Sequence, residues 1–288
     1  MTTLITGARG EVGSGLLRRL HAAGHDLRAA SRAPEQVEVR TGVPVVPLDL
    51  ADPATFAPAL AGVTAVFLYA EPAGITELLA DAAEAGVERI VLLSSASVAE
   101  PGGDTDPLAH HHLVVERALL RAPVGNTVLL RPGAFASNAL NWARPIRAGE
   151  PVELAYPDAR TAPIHAEDIV DVAELALTGD KLDGQAIALV GPESLSFREQ
   201  LAVLAELLGR HIELRELTHG QAAARMAQHM PAPVAESLLG YWARSLDGPA
   251  STADSAERIT ARARPFATWA RDHLATFRRV ERAATARG

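Results

Sequence analysis

The sequence predicts an α/β protein with a Rossmann-like, doubly wound parallel sheet and a smaller, mainly helical C-terminal lobe. In the first half of the chain, short apolar runs alternate with segments of helical periodicity. Strands and helices alternate in this way when a parallel sheet is covered by helices. The first apolar run opens into a glycine-rich turn over residues 7–13, and a helical segment follows. A strand, a glycine turn and a helix in this order are typical of a phosphate-binding unit.

The length of 288 residues favours about two domains. We predict a Rossmann domain over residues 1–133, with strand and helix segments that return to it from about residues 160–190. Residues 134–288 are predicted to form a mixed lobe that binds the substrate. An apolar fraction of 48% is ample for a packed core.

Apolar runs and helix-capping residues place the individual elements. The predicted strands after the first cover residues 26–31, 43–48, 65–70, 89–95, 127–130, 151–155, 185–190 and 211–217. The predicted helices cover residues 53–60, 76–86, 107–121, 136–147, 166–178 and 197–208. Asp52 is a natural cap for the first of these, and capping boxes begin at Ser196 and Thr218. Two or three helices are expected after Thr218, and the last of them covers residues 266–277.

The composition excludes several classes of function. A formal net charge of −8 argues against nucleic acid as a partner, because phosphate backbones require a basic face. The chain contains no cysteine, which excludes disulfides and thiol chemistry. The first strand begins almost at the N-terminus, and no apolar run has transmembrane length. We therefore expect a cytoplasmic protein without a signal peptide or a membrane partner.

The glycine turn predicts a nucleotide site. Gly7, Gly10 and Gly13 have the spacing G-x-x-G-x-x-G, which differs from the G-x-G-x-x-G of the usual dehydrogenase fingerprint. Glycine adopts positive φ and lets a ligand approach the backbone closely. The helix that follows directs its N-terminal N–H groups and the positive end of its dipole toward the turn, which suits a pyrophosphate.

The residues after the second strand indicate which dinucleotide binds. In dinucleotide folds an acidic residue at this place holds the adenosine ribose hydroxyls, whereas an arginine accommodates a 2′-phosphate. This chain has Ser31 and Arg32 there, and Arg9 in the glycine turn adds a second cation. The pattern favours NADP(H) over NAD, and the alternative for Arg32 is a solvated loop arginine.

Several candidate residues coincide with the ends of predicted strands. They are Gly7, Arg32, Asp49, Ala70, Ser95 and Pro132. Ligands of doubly wound sheets bind at the carboxyl ends of the strands, so this coincidence predicts the ligand site. Asp49 is placed to accept a hydrogen bond from an adenine amino group, but it is also a natural helix cap.

Five stretches carry a family likeness: TGARGEVG at residues 6–13, LSSA at 93–96, VERAL at 115–119, LRPGAF at 130–135 and HAEDI at 165–169. Together they resemble the NmrA-like, NAD(P)-binding branch of the atypical short-chain dehydrogenase/reductases, over nearly the whole chain. The resemblance implies a Rossmann domain that holds NADP(H). The predicted cofactor-binding residues are Thr6, Gly7, Arg9, Gly10, Glu11, Val12, Gly13, Arg32, Asp49, Leu50, Tyr69, Ala70, Ser94, His112, Pro132 and Phe135.

The chain departs from the catalytic members of this superfamily, which use a Tyr-x-x-x-Lys pair. In that pair the tyrosine protonates the substrate oxygen, and the lysine holds the nicotinamide ribose. The only lysine here is Lys181, and no tyrosine lies four residues before it. By position, Leu108 replaces the tyrosine and His112 the lysine, whereas Ser95 occupies the place of the catalytic serine.

Three residues are the predicted candidates for proton transfer: Ser95, His112 and Tyr156. An imidazole at His112 is suited to the nicotinamide ribose and to general acid catalysis near neutral pH. The alternatives are structural: a solvated histidine at a helix start and a tyrosine in the core. His165 is a further candidate, and its alternative is packing beneath the helix that follows. The histidines at 110–112 predict no metal site, because successive side chains on a helix diverge.

Three functions are compatible with a cofactor cradle that lacks the usual proton donor. The first is NADPH-dependent reduction of a quinone, an enone or a similar conjugated carbonyl compound, because such acceptors delocalise the charge that hydride transfer creates. The second is an NADP(H)-binding regulatory protein that senses the redox ratio. The third is a non-redox cyclase or isomerase. The expected partner is a small-molecule substrate, and a homodimer is compatible with the sequence.

Overall fold

The computed structural model describes residues 1–37, 42–100 and 102–278. Within these residues the strands are β1 (Thr2–Ile5), β2 (Asp26–Ser31), β3 (Val45–Pro47), β4 (Val63–Tyr69), β5 (Arg89–Leu93), β6 (Asn126–Pro132), β7 (Val152–Leu154), β8 (Arg160–Thr161), β9 (Ala186–Leu189), β10 (Leu195–Ser196) and β11 (Leu214–Glu216).

Helices follow most of these strands. The α-helices are α1 (Glu11–Ala22), α2 (Phe56–Leu60), α3 (Ile75–Glu84), α4 (Pro107–Leu119), α5 (Ala143–Ala148), α6 (Ala166–Thr178), α7 (Phe197–Leu208), α8 (His219–Met226), α9 (Ala232–Arg244), α10 (Glu257–Thr260), α11 (Phe266–Asp272) and α12 (Leu274–Phe277). Among the residues described, no helix combines the length and the apolar character that crossing a membrane requires.

The largest sheet confirms the predicted Rossmann-like fold. Its strand order is β3-β2-β1-β4-β5-β6-β9, and the paired strands are parallel. The order runs one way from β1 to β3 and the other way from β4 to β9. Ligands of doubly wound sheets bind where the strand order reverses, which here is at the carboxyl ends of β1 and β4.

The chain forms two compact units. The first comprises Met1–Gly133, Ala166–Val190 and Ala253–Ala263, so α6 and β9 belong to the unit that contains the large sheet. Its core includes Phe56, Ile90 and Leu92, which are almost fully buried between the sheet and its helices.

The second unit comprises Ala134–His165, Gly191–Thr252 and the described residues from Arg264 onward. It contains two small sheets, in which β7 pairs with β11 and β8 pairs with β10. Helices supply most of its core, including Trp142, Leu204 and Trp269. The unit is mainly helical, as predicted for the C-terminal lobe, but the predicted range of 134–288 is too wide, because Ala253–Ala263 belongs to the first unit.

The capping predictions are confirmed. Asp52 accepts a hydrogen bond from the backbone N–H of Ala54 and begins a 3₁₀ turn that continues into α2. Ser196 and Thr218 each form a reciprocal capping box at the start of α7 and α8. These caps depend on sequence neighbours alone, so the residue spacing determines them.

Several predicted boundaries are wrong. Among the described residues, five helices follow Thr218, rather than two or three. Pro231 and Pro265 each stand at the N-cap of one of them, α9 and α11. The segment over 266–277 divides at His273, whose backbone N–H and Nδ1 both bond the carbonyl of Trp269. The predicted helix over 136–147 begins as a 3₁₀ helix, Ala136–Trp142.

Candidate functional site

A groove of about 560 Å³ lies at the carboxyl ends of β1 to β4 in the first unit. It is lined by Thr6, Gly7, Ala8, Arg9, Gly10, Ala30, Ser31, Arg32, Leu48, Asp49, Leu50, Ala51, Leu68, Tyr69, Glu71, Ala73 and Leu78. The set includes the turn after β1 and the last residues of β2 and β4. The groove therefore lies where the strand order reverses, as the sequence predicts for the ligand site.

The glycine turn is tightly packed and leaves no room for a side chain at Gly13. Gly7 has a φ of +62°, and its carbonyl accepts a hydrogen bond of 2.9 Å from Gly10 N–H. A Cβ at Gly13 would lie 2.3 Å from the carbonyl oxygen of Gly7, which is a backbone atom. No side chain caps α1 at Gly10. The turn and the first turn of α1 thus fit the phosphates of a dinucleotide.

We expect Gly13→Ala to weaken NADPH binding by about 10-fold or more, because the added methyl group must displace the Gly7 carbonyl and so distort the turn. Fluorescence titration measures the dissociation constant. Gly220→Ala is the matched control, because a Cβ at Gly220 meets no atom within 4 Å. Equal affinity in the two variants would contradict a role for this turn in binding.

Thr6 connects the ends of β1 and β4. Its hydroxyl donates to the carbonyl of Phe67 at 3.0 Å and accepts from the backbone N–H of Tyr69 at 2.7 Å. Both hydrogen bonds are internal to the sheet, so Thr6 positions the two strands that border the groove. Tyr69 is 52% exposed and forms one wall.

Arg9 and Arg32 line the groove. The sequence predicts that this part of the groove holds the adenosine half of the dinucleotide. Arg9 donates from Nη1 to Gln36 Oε1 at 3.1 Å. Ser31 Oγ accepts from the backbone N–H of Ala33 at 3.2 Å and shapes the turn that carries Arg32. In the described part of the chain, the exposed Arg32 guanidinium makes no hydrogen bond or ion pair, so it is available to an anionic ligand.

Asp49 serves as a turn cap, which is one of the two alternatives for this residue. Its Oδ1 accepts from Ala51 N–H at 3.0 Å, and its own N–H donates to Thr55 Oγ1 at 3.0 Å. Asp49 and Leu50 also line the groove, so the predicted contact with adenine stays a prediction.

Some predicted cofactor residues of the first unit do not line this groove. They are Glu11, Val12, Gly13, Ala70, Ser94, His112 and Pro132. Ala70 is buried at the end of β4, and its carbonyl bonds the imidazole Nε2 of His111 at 2.9 Å. Pro132 is buried at the end of β6, where it pairs with Leu189.

The hydroxyl of Ser94 has a structural partner. It is buried and donates to Glu116 Oε1 at 2.6 Å. The carboxylate of Glu116 also accepts from Arg131 Nε at 2.9 Å and from Nη2 at 2.6 Å. The bond to Glu116 raises the pKa of Arg131. We refer to Ser94, Glu116 and Arg131 as the Glu116 cluster. The sequence assigns Ser94 to the cofactor, but its hydroxyl is already bonded within this cluster.

His112 has an unused hydrogen-bonding atom. Its Nδ1 is buried and finds no partner within the described residues. Burial lowers the pKa of His112, and the neighbouring His111 lowers it further. The imidazole is therefore neutral near pH 7, and its free nitrogen fits a hydroxyl donor such as a ribose hydroxyl. In the chain as described, no group of three His, Cys, Asp or Glu residues fits a metal ion.

The other predicted catalytic residues have local partners. Ser95 Oγ accepts from Ser97 N–H at 3.2 Å and caps the 3₁₀ helix Ala96–Ala99. Tyr156 belongs to the second unit, where its hydroxyl lies 2.8 Å from Nδ1 of His219. His165 is buried in the same unit, and its Nε2 lies 3.4 Å from Asp272 Oδ2.

Phe135 also belongs to the second unit, and its backbone pairs with Ile164. The groove contains residues that the sequence analysis did not assign to the cofactor, among them Leu48, Leu68, Glu71 and Ala73. Leu48 and Leu68 lie near the carboxyl ends of predicted strands, and this position could have identified them as groove residues. Glu71 and Ala73 follow β4 directly, and the loop after a strand at the reversal point borders the ligand in this fold.

The sequence profile of the NAD(P)H-binding family matches residues 7–155, which is more than half of this chain. The (4-alkanoyl-5-oxo-2,5-dihydrofuran-3-yl)methyl phosphate reductase of Streptomyces griseus subsp. griseus is 39% identical over 281 residues, covering 95% of this chain and 98% of that protein. The NAD(P)H azoreductase of Xenophilus azovorans is 30% identical, with coverages of 95% and 98%.

The structure of Citrobacter sp. triphenylmethane reductase complexed with NADP(H) has the same fold, with a TM-score of 0.78. It is 20% identical in sequence, and the alignment covers 94% of this chain and 99% of that one. The family match confirms the prediction of a nicotinamide dinucleotide cofactor. The chain belongs to the NAD(P)H-binding family, and it shares the Rossmann-like fold of this NADP(H) complex.

Proposed function

We propose that this protein is an NADPH-dependent reductase of a quinone, an enone or a similarly conjugated carbonyl compound. The observation that carries the proposal is the groove itself: a glycine turn with no room for a side chain at Gly13, and beside it Arg32, whose guanidinium has no partner among the described residues. An unpaired arginine at this place favours NADPH over NADH. The family membership supports nicotinamide chemistry.

The relatives support the choice of acceptor. The name of the Streptomyces griseus reductase describes an unsaturated lactone whose ring double bond is conjugated with the oxo and alkanoyl groups. The azoreductase is named for the reduction of an azo group, which is an N=N double bond. We propose that this chain takes an acceptor of the same electronic type, because delocalisation of charge reduces the need for a strong protein acid.

Each residue of the cradle has a distinct part in the proposed binding. Arg32 and Arg9 hold the 2′-phosphate, and the glycine turn with the N-terminus of α1 holds the pyrophosphate. His112 accepts a hydrogen bond from the nicotinamide ribose through its free Nδ1. NADPH supplies the hydride when it is bound. The hydroxyl oxygen of Ser95 already accepts hydrogen bonds from the backbone N–H and the hydroxyl of Ser97.

The roles of the two units, the cellular location and the oligomeric state are also part of this proposal. We propose that the second unit binds the small-molecule substrate, and that residues 1–133 with the returning segments form the cofactor domain. A cytoplasmic location and a homodimer are proposed from the sequence alone.

The test measures NADPH oxidation with one acceptor at a time. The loss of nicotinamide absorbance is the readout. We expect turnover with menadione or cyclohexenone and slower turnover when NADH replaces NADPH. Tight NADPH binding without turnover on any conjugated carbonyl would contradict the proposal and favour a binding protein. A product formed without a change in nicotinamide absorbance would indicate an isomerase.

A further inference from the structure

One side-chain hydrogen bond joins the turns that follow β1 and β2 in the first unit. Arg9, in the glycine turn, donates from Nη1 to Oε1 of Gln36 at 3.1 Å. Gln36 is the last residue of the 3₁₀ helix Pro34–Gln36, which follows β2. Arg32 lies between β2 and this helix, and it lines the groove together with Arg9. The bond therefore attaches one of the two groove arginines to the loop that carries the other.

Short-range hydrogen bonds hold the backbone of Gln36 in place. The hydroxyl of Ser31, at the end of β2, accepts from the backbone N–H of Ala33 at 3.2 Å. The carbonyl of Ala33 accepts from the backbone N–H of Gln36 at 3.1 Å, and Pro34 begins the 3₁₀ helix with a fixed φ. The amide of Gln36 is thus presented to Arg9 from a turn with its own internal hydrogen bonds.

The partner of Arg9 is a neutral amide rather than a carboxylate. Other arginines of the first unit, such as Arg89 and Arg131, form ion pairs. A carboxylate is also present next to Gln36 in sequence, at Glu35, but the hydrogen bond of Arg9 goes to the amide. An ion pair would offset the positive charge of the guanidinium, whereas an amide oxygen carries no formal charge and leaves it available.

The hydrogen bond to Gln36 leaves Arg9 able to bind an anion. A guanidinium carries five N–H donors in a rigid plane, and this bond occupies one of them. Both side chains are exposed, so the other N–H groups of Arg9 are accessible to a ligand. Because one edge of the plane is held, the long side chain loses less rotamer freedom when the ligand binds. Arg9 is therefore oriented in advance and still charged.

We propose that Gln36 is a positioning residue that contributes to the preference of the groove for NADPH over NADH. It holds the guanidinium of Arg9 and leaves its charge to the 2′-phosphate, for which Arg32 is the second cation. Gln36 does not line the groove itself, so it acts through Arg9. NADH lacks the 2′-phosphate, so its affinity does not depend on this hydrogen bond. The inference rests on the proposed function, which assigns the 2′-phosphate to the two arginines.

The test measures the dissociation constants of NADPH and NADH by fluorescence titration of the wild type and two variants. Gln36→Glu keeps the shape of the side chain, but its charge pairs with Arg9 and repels the phosphate. We expect this variant to bind NADPH about 10-fold more weakly, with NADH affinity unchanged within about twofold. Gln36→Leu removes the acceptor and frees the guanidinium, so we expect NADPH binding to weaken by about threefold.

A double-mutant cycle separates a positioning role from a structural one. In an Arg9→Gln background, Gln36→Leu is expected to leave the ratio of the two dissociation constants unchanged, because no guanidinium remains to be oriented. Gln228→Glu and Gln228→Leu are matched controls, because they make the same chemical changes at an exposed glutamine of the second unit. The ratio should stay within about twofold of the wild type in both controls.

An unchanged ratio in Gln36→Glu overturns the proposal, and so does an equal loss of affinity for both cofactors, which would indicate only a disturbed turn. A loss in Gln36→Leu that persists in the Arg9→Gln background also overturns it. None of these results affects the reductase function, which is tested by NADPH oxidation. If the wild-type protein binds NADPH and reduces no conjugated carbonyl, the proposed reaction fails, and the binding ratios still decide the role of Gln36. If it binds neither dinucleotide, both proposals fail.

Discussion

Replacing Arg131 with leucine is expected to lower the free energy of unfolding by about 3–5 kcal/mol. The change leaves the carboxylate of Glu116, whose side chain is only 3% exposed, without the guanidinium that it meets through two hydrogen bonds. Ser94 alone cannot compensate a buried charge, since it offers one neutral donor. Urea unfolding, followed by circular dichroism, measures the loss.

A second ion pair on the same helix supplies the control. Arg117 pairs with Asp104, and their side chains are 53% and 79% exposed. We expect Arg117→Leu to change stability by about 1 kcal/mol at most, because water solvates both partners. The double variant Glu116→Leu with Arg131→Leu should recover much of the loss, because it removes the unpaired charge. Equal losses from the two single variants would show that the buried position of the Glu116 cluster has no energetic consequence.

The parallel sheet was predictable because its signals are local. Each strand is a short apolar run followed by a helical segment, and this alternation permits few topologies. Capping boxes at Ser196 and Thr218 were equally readable. The division at His273 was not, because nothing in the apolar pattern over 266–277 marks it.

The groove was also predictable from local signals, whereas the polar clusters were not. Gly7, Arg32 and Asp49 could be placed together because carboxyl ends of parallel strands meet at one edge. The Glu116 cluster joins a helix to the ends of two strands, so its bonds depend on packing. Tyr156 and His219 lie 63 residues apart in sequence. No spacing rule connects a tyrosine to a histidine at that distance, and only the fold brings them within hydrogen-bond reach.

The selectivity of the groove for the 2′-phosphate provides the most direct test of the cradle. We expect Arg32→Glu to weaken NADPH binding by about 100-fold, because it removes one charge-assisted hydrogen bond of about 1.5–3 kcal/mol and adds a repulsive carboxylate. The same glutamate accepts from the ribose hydroxyls of NADH, so NADH affinity is expected to rise or stay constant. Arg9→Gln is expected to have a smaller effect, since Arg9 already donates to Gln36.

Arg121→Glu is the matched control, because Arg121 is also exposed and the substitution changes the net charge of the protein by the same amount. It does not line the groove, so both cofactor affinities should stay within about twofold of the wild type, as distant surface charges are screened by salt. Titrations with NADPH and NADH on all three variants give the ratio of dissociation constants. If Arg32→Glu weakens both cofactors equally, Arg32 does not contact the 2′-phosphate, and the NADPH preference must come from another part of the chain.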